Sequence, residues 1–256
     1  MRNIFAIAEK ELKSYFASPI GYIYVGLFAL LYGFFYYTML AYFVRQGMQM
    51  SQFGGGAQPM NINQDMLRPA LQNVTVLVLF ILPMVTMRTY SEEKRSGTME
   101  LLLTSPLTDF QIIMGKFLGA MGLYSVGLLV SLFHVGILFV YGSPEWKPIL
   151  TAYLGLELMG GCFISVGLFI SSLTKNQIVS GMLTFGVFLL LWIINWIGSF
   201  GGPTLESVTN YLSIIEHFDD FGKGIIDTTH LVYYLSFITF GLFLTAKSVD
   251  SERWRG

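Results

Sequence analysis

No charged residue lies between Lys13 and Arg45, and the run from Ile20 to Phe43 carries only apolar residues, glycine, alanine, tyrosine and one threonine. A segment that is apolar all the way round has no face to give to water, and it exceeds the roughly 20 residues that carry a helix across a bilayer. In hydrocarbon every backbone amide and carbonyl must find its partner within the protein, so only helices and closed barrels span. The run shows no alternation of polar and apolar positions, which leaves a helix. Five more runs of this kind follow, at about 70–87, 117–141, 149–172, 178–197 and 231–246. The sequence therefore predicts an all-α integral membrane protein with six transmembrane helices, the first at about 20–43. Composition agrees: 54% of residues are hydrophobic and 12% charged, the latter about half the share usual in soluble domains. The first run is too long for a signal-peptide core and has no small-x-small cleavage site after it, so it is expected to be retained.

The longest charged interruption between two spans is 88–116. Its chemistry predicts that the second span continues as a polar helix through Arg95, ended by Gly97 in the left-handed conformation. A very short helix follows, with Thr98 as N-cap and Glu100 placing negative charge where the first backbone amides are unpaired. Leu101, Leu102 and Leu103 form an apolar knob, and Pro106 stops the helix. Thr108 with Gln111 three residues on is a capping box that starts the next long helix. With Glu92, Glu93, Arg95 and Met99, these residues form a candidate docking surface.

In Glu93, Gly97-Thr98, Glu100, Leu101-Leu102 and Pro106 this segment resembles the cytoplasmic loop between the second and third spans of the membrane subunits of ABC-2 type ABC transporters, and the whole chain follows that family in segment order. Phe218, Gly222, Gly224, Ile226-Asp227 and the tail ending in Arg253-Trp254 are similar to the permease subunits of gliding-motility-associated transporters. The resemblance implies a non-catalytic permease of the bacterial cytoplasmic membrane. Its short coupling helix would sit in a cleft of a separate ATPase that carries the ATP and Mg, and the chain would pair with a second copy or a related permease. A gliding-type relative also implies an extracytoplasmic, membrane-anchored partner, and an output of mechanical work rather than net export.

Residues 1–17 predict an interfacial amphipathic helix, with Ile4, Phe5, Ile7, Ala8, Leu12, Tyr15 and Phe16 on one face and Arg2, Glu9, Lys10 and Lys13 on the other. Glu11 falls on the apolar face, where it either pairs with a base such as Arg88 or Arg95 or snorkels to the interface. Residues 45–68 are rich in Gly, Gln, Met and Asn and predict a flexible extracytoplasmic loop. Its Gly54-Gly55-Gly56 is not followed by Gly-Lys-Ser/Thr, so the chain has no phosphate-cradling loop of its own and any ATPase must be another chain. Pro83 is placed to kink the second span near its end. The glycines of the third span, among them Gly115, Gly119, Gly122 and Gly127, and of the fourth, Gly155, Gly160, Gly161 and Gly167, predict close packing of those two helices on each other. Trp192 and Trp196 mark an interfacial belt. Residues 204–218 predict one amphipathic helix at the outer surface.

Of the 15 Lys and Arg residues, all but Arg45, Arg68, Lys147 and Lys223 fall in segments that alternate to one side, which places both termini and the loop at 88–116 in the cytoplasm. A net charge of −1 points to no nucleic-acid partner. Two other classes share this composition. A secondary transporter would show inverted repeats and broken spans, and neither is evident. An intramembrane enzyme would have to use His134, Glu157 or Cys162, but metal-binding and nucleophile-elbow motifs are missing. Glu157 is the only carboxylate inside a span. Matched distances from the span ends suggest His134 as its partner, for either a functional or a purely structural polar pair.

Overall fold

The computed structural model describes residues 2–52 and 60–253. Among them there is no strand, and six helices are long and apolar enough to cross a membrane. A first helix, α1 (Arg2–Ala17), precedes the first of these, α2 (Pro19–Gln52). A π-helical segment (Ile62–Leu67) leads into α3 (Arg68–Thr86), and two short helices, α4 (Ser91–Ser96) and α5 (Thr98–Thr104), lead into α6 (Asp109–Tyr141). Then come α7 (Trp146–Leu173), α8 (Gln177–Ser199), two more short helices, α9 (Pro203–Leu212) and α10 (Glu216–Lys223), and α11 (Thr228–Arg253).

Helices α3 and α7 form the centre of the bundle, while α2, α8 and α11 turn most of their apolar surface outward. Since lipid is as apolar as leucine, close steric fit rather than exclusion from water holds such helices together. On α2 the fit is aromatic. Tyr24, Phe28, Tyr32 and Tyr36 recur every fourth residue, lie on its buried side and have ring centroids 6.1 to 6.2 Å apart. On α7, glycine makes room: a Cβ at Gly160 would lie 2.1 Å from the Tyr124 ring, and one at Gly167 would lie 2.3 Å from Thr86 Oγ1.

The third-span glycines do not serve the fourth span as expected. Gly115, Gly119 and Gly122 receive Ile7, Glu11 and Leu12 of α1, and Gly127 receives Tyr24 of α2. On α7, Gly155 faces α10 and Gly161 faces α11, leaving Gly160 to meet α6. A row of small residues states that a backbone can approach, not which one. In α1, accordingly, Tyr15 is buried while Phe5 stays 65% exposed. The expected loop at 45–68 is also shorter than its composition implies, because α2 runs on to Gln52 and the π-helical segment starts at Ile62. Gly54, Gly55 and Gly56 lie outside the described residues.

At the end of the bundle away from α4 and α5, the single helix expected over 204–218 is two helices. The break at Ser213 to Ile215 contains neither glycine nor proline. It is held from α11, where Tyr233 donates to the carbonyl of Leu212 and Tyr234 to that of Ile214, each at 2.8 Å. A polar chain follows. His217 Nε2 lies 2.9 Å from the Tyr211 carbonyl, its Nδ1 lies 2.6 Å from His230 Nδ1, and His230 Nε2 lies 3.0 Å from Asp220. Burial holds His217 below the ordinary histidine range. Hydrogen bonds from His230 and Lys223 hold the Asp220 carboxyl low. Burial opposes ionisation of Asp219, but bonds from Lys223 and Arg68 prevail and keep it low as well.

Candidate functional site

Every predicted docking residue lies in the connection from α3 to α6, and the local chemistry accounts for its shape. Helix α3 stops at Thr86 and does not run on as the continuous polar helix expected through Arg95: residues 87–90 form a turn before the helix resumes as α4. Pro83 lies in its last turn. The hydroxyl of Ser171 on α7 holds the turn. It accepts from the amides of Tyr90 and Ser91 at 3.0 and 3.2 Å and donates to the Met87 carbonyl at 3.0 Å. Those two amides are among the unpaired donors at the start of α4, so a side chain from another helix supplies the cap. Glu92 and Glu93 occupy the first turn of α4 and Lys94 and Arg95 its last, the arrangement the helix dipole favours.

Gly97 has φ 75°, ends α4 and starts α5 in a single residue. It also takes the N-cap place expected for Thr98, which instead is the first residue of α5 and pairs its hydroxyl with Ser96 at 2.9 Å. Helix α5 ends at Thr104, ahead of Pro106. The capping box of Thr108 and Gln111 is formed at the head of α6. The apolar knob is narrower than the three leucines suggested. Met99 is 5% exposed and turned inward, so Leu102, three residues on, shares its side and is half-buried. Leu101 is 72% exposed and points away, next to exposed Glu100. The side chain of Leu103 is outside the described residues.

Beneath this surface lies a buried lysine. Lys116 on α6 is 1% exposed and donates to Glu93 of α4 at 2.7 Å, to Glu11 of α1 at 3.1 Å and to the Thr89 carbonyl at 2.9 Å. Its ammonium also sits 5.1 Å from the Tyr90 ring centre. Glu11 is thus paired, as one of the two sequence readings held, but with Lys116 and Lys10 rather than with Arg88 or Arg95. Arg88 is taken by Glu92, one turn along, at 2.8 Å. A second buried lysine, Lys94, bonds the Ser172 carbonyl at the end of α7 and Glu252 of α11, the latter at 2.7 Å. A charge removed from water is stable only with such partners. Through the two lysines, α4 is therefore bound at once to α1, α6, α7 and α11. Between α1 and α5 a groove of about 480 Å³ remains, bordered by Lys10, Tyr15, Arg88, Glu92, Ser96 and Leu102.

Residues 5–246 match the family described as ABC-2 family transporter protein. The chain belongs to the ABC-2 transporter family. It is similar to the probable multidrug ABC transporter permease YbhR of Escherichia coli K12, at 28% identity over 152 residues, 55% of this chain and 38% of that one. It is also similar to the inner membrane transport permease YhhJ of the same strain, at 29% identity over 136 residues, 52% of this chain and 33% of that one. The match therefore spans about a third of the length of these relatives. Family and fold together make this ABC-2 chain a multi-pass membrane protein.

The other candidate of the sequence is not assembled in this ABC-2 chain. His134 and Glu157 lie apart. His134 packs against Tyr32 and Tyr36 of α2, with its Nδ1 3.3 Å from the Val130 carbonyl. Glu157 lies near Ser125 instead, whose hydroxyl donates to the Met121 carbonyl at 2.9 Å. The reason is register. Tyr124 donates to the Leu156 carbonyl and Ser131 pairs with Tyr153, each within 3 Å, so His134 is level with the residues near 150. Seven residues at 1.5 Å each put Glu157 roughly 10 Å further along. Cys162 is a buried packing residue whose thiol points to the Tyr234 carbonyl at 3.6 Å.

Lys116, Lys94 and Ser171 carry the site's internal bonds, and none was singled out from the sequence. A signal existed for Lys116, which stands eight residues into the helix that the capping box begins, directly before an apolar run. A lysine there must either snorkel or be paired.

Proposed function

We propose that this chain is the transmembrane subunit of an ATP-driven transporter, with α4 and α5 as the face on which a separate cytoplasmic ATPase docks and pushes. The observation that carries the reading is the contrast within nine residues. Leu101 and Glu100 are offered outward, while Glu93 and Lys94 of the same segment are bonded to four long-lying helices. A displacement applied to α5 passes through Gly97 into α4, and α4 cannot move without carrying α1, α6, α7 and α11. Charged hydrogen bonds are the stiffest non-covalent links available for this purpose.

In this reading both termini face the cytoplasm, as the bias of basic residues implies. ATP and Mg belong to the partner, and α1 lies along the membrane surface with exposed Phe5 toward lipid. Two permeases make the conduit. The likeness to gliding-type permeases extends the reading to an extracytoplasmic, membrane-anchored partner at the α9–α10 end and to mechanical work as an output alongside export. Affinity purification of the tagged chain in mild detergent tests the core of it. An ATPase with a phosphate-binding glycine loop is expected to co-purify, with hydrolysis stimulated by the permease. Recovery without any ATPase, together with uptake in liposomes driven by an ion gradient, would replace it with a secondary transporter.

A further inference from the structure

His217 stands just past the break between α9 and α10 and is buried. Its ring stacks on Tyr233 of α11, with centres 3.8 Å and planes 23° apart, and meets Tyr211 of α9 edge-on. The number of protons on the two histidines follows from the acceptors at the ends of their chain. A carbonyl only accepts, so His217 Nε2, beside the Tyr211 carbonyl at 2.9 Å, carries a hydrogen. An ionised carboxylate also only accepts. Asp220 is kept ionised by Lys223 at 3.0 Å, so His230 Nε2, 3.0 Å from the other carboxylate oxygen, carries a hydrogen too. The remaining nitrogens, the two Nδ1 atoms, face each other at 2.6 Å. That contact is a hydrogen bond and requires a single proton. With none, two lone pairs would meet, and with two, a pair of N–H groups would collide. The two rings therefore hold three protons and one positive charge.

We infer that the proton shared by His217 and His230 is a latch that keeps the α9–α10 break docked on α11, and that either acid or base at this end of the bundle releases it. The surrounding charges fit one positive charge on the pair. On α10 these are Glu216, Asp219, Asp220 and Lys223, with Asp227 just before α11. From α3, Arg68 bonds Asp219. Helix α8 reaches Glu216 through the Asn195 amide, and α7 reaches the Phe221 carbonyl through the Thr151 hydroxyl, so both bring neutral groups. Carboxylates outnumber cations among these groups, and Asp220 draws the charge to the His230 ring. Burial keeps a second charge off His217. Protons have a way in, because the Asp220 side chain is 34% exposed. The sign follows from counting. Above the free histidine value of about 6.5 an unfolded pair holds two protons, fewer than three, so stability is lost as pH rises. Below that value it holds four, so stability is lost as pH falls. The latch is strongest near about pH 6.5. It involves neither ATP nor the docking face, so its failure would leave the permease reading untouched.

The test is nuclear magnetic resonance of the full chain in detergent micelles with its histidines labelled in nitrogen-15. The sequence has three histidines, and His134→Gln assigns the one outside the pair. At about pH 7.5, where free histidine is mostly neutral, one low-field proton coupled to both Nδ1 atoms is expected, with an N–H at each Nε2. Amide exchange in 211–224, corrected for intrinsic rates, is expected to be slowest near about pH 6.5 and to quicken on both sides. Asp220→Asn keeps an acceptor for His230 and removes the charge. It should lower the pH at which the low-field proton disappears by about one unit, a ten-fold loss of proton affinity. Two neutral rings with no proton between the Nδ1 atoms at pH 7.5 would overturn the proposal. So would exchange that stays unchanged while the shared proton is lost, or a low-field proton that disappears at the same pH in Asp220→Asn.

Discussion

Replacing Lys116 by Met removes the charge from the junction beneath the docking face and keeps most of the side-chain volume. In the native chain one ammonium serves two carboxylates, and the side chains of Glu11 and Glu93 are only 13% and 16% exposed. The variant leaves both carboxylates facing a thioether, with Lys10, 3.6 Å from Glu11, as the remaining cation among these contacts. Breaking a buried pair from one side costs about 3 to 5 kcal/mol, and Lys10 together with residual exposure pulls the figure toward the lower end, about 3 kcal/mol. For a domain of this size that corresponds to a fall in midpoint of roughly 6 to 12 °C. Thermal unfolding of the purified chain in detergent, followed by tryptophan emission, measures it. The double variant Lys116→Met with Glu93→Gln removes half of the stranded charge and is expected to recover part of the loss, giving a coupling of about 1 kcal/mol or more. A midpoint change under about 2 °C for Lys116→Met, or strict additivity in the double variant, would refute the view that this cluster binds α1, α4 and α6 together.

Three more outcomes are expected. Leu101→Asp should leave the midpoint within about 0.5 kcal/mol of the parent, since the side chain is 72% exposed, yet release the ATPase in a pull-down; retention of the ATPase with normal stimulation would exclude that face. Ser171→Ala strands the amides of Tyr90 and Ser91 at a buried turn and should cost about 2 to 3 kcal/mol, with hydrogen exchange accelerated selectively at residues 87–91; unchanged protection there would count against the hydroxyl as the cap. Acid should loosen α9 and α10 first. His217 is held low and so resists the charged form in the fold, while Asp219 and Asp220 are held low and are bonded as carboxylates. All three then bind more protons unfolded than folded, so stability is lost as pH falls, first below the free histidine value of about 6.5 and again below about 3.9. Amide exchange in 211–224 that is flat from pH 7 down to 3, once corrected for intrinsic rates, would contradict this.

What could be read from the sequence is what short-range chemistry decides. Apolar runs far longer than any soluble element needs gave six spanning helices, and the turn chemistry of Gly97 and of Thr108 with Gln111 placed the connection between α3 and α6. Where the choice was among distant partners, local rules had no purchase. Glu11 on an apolar face signalled a pairing, but Lys116 rather than Arg88 took it because α1 lies against the glycine face of α6 and Arg88 is occupied by Glu92. Depth counted from span ends brought His134 and Glu157 to the same level, whereas the packing of Tyr124 over Gly160 sets an antiparallel register seven residues different. The break between α9 and α10 has no local mark, since hydroxyls of Tyr233 and Tyr234 on a later helix impose it. By local rules Leu102 belongs to the knob, but Met99 one turn before it is buried and Leu102 turns inward with it.

The central claim, that α5 is the surface on which an ATPase acts, is tested most directly by a photo-crosslinking amino acid placed at Leu101 in cells. Tyr141, 87% exposed at the opposite end of α6, serves as the control position. The account predicts that Leu101 captures a chain bearing a phosphate-binding glycine loop, that the yield changes when ATP is depleted, and that Tyr141 captures no such chain. Capture of the ATPase from Tyr141 and not from Leu101 would contradict it.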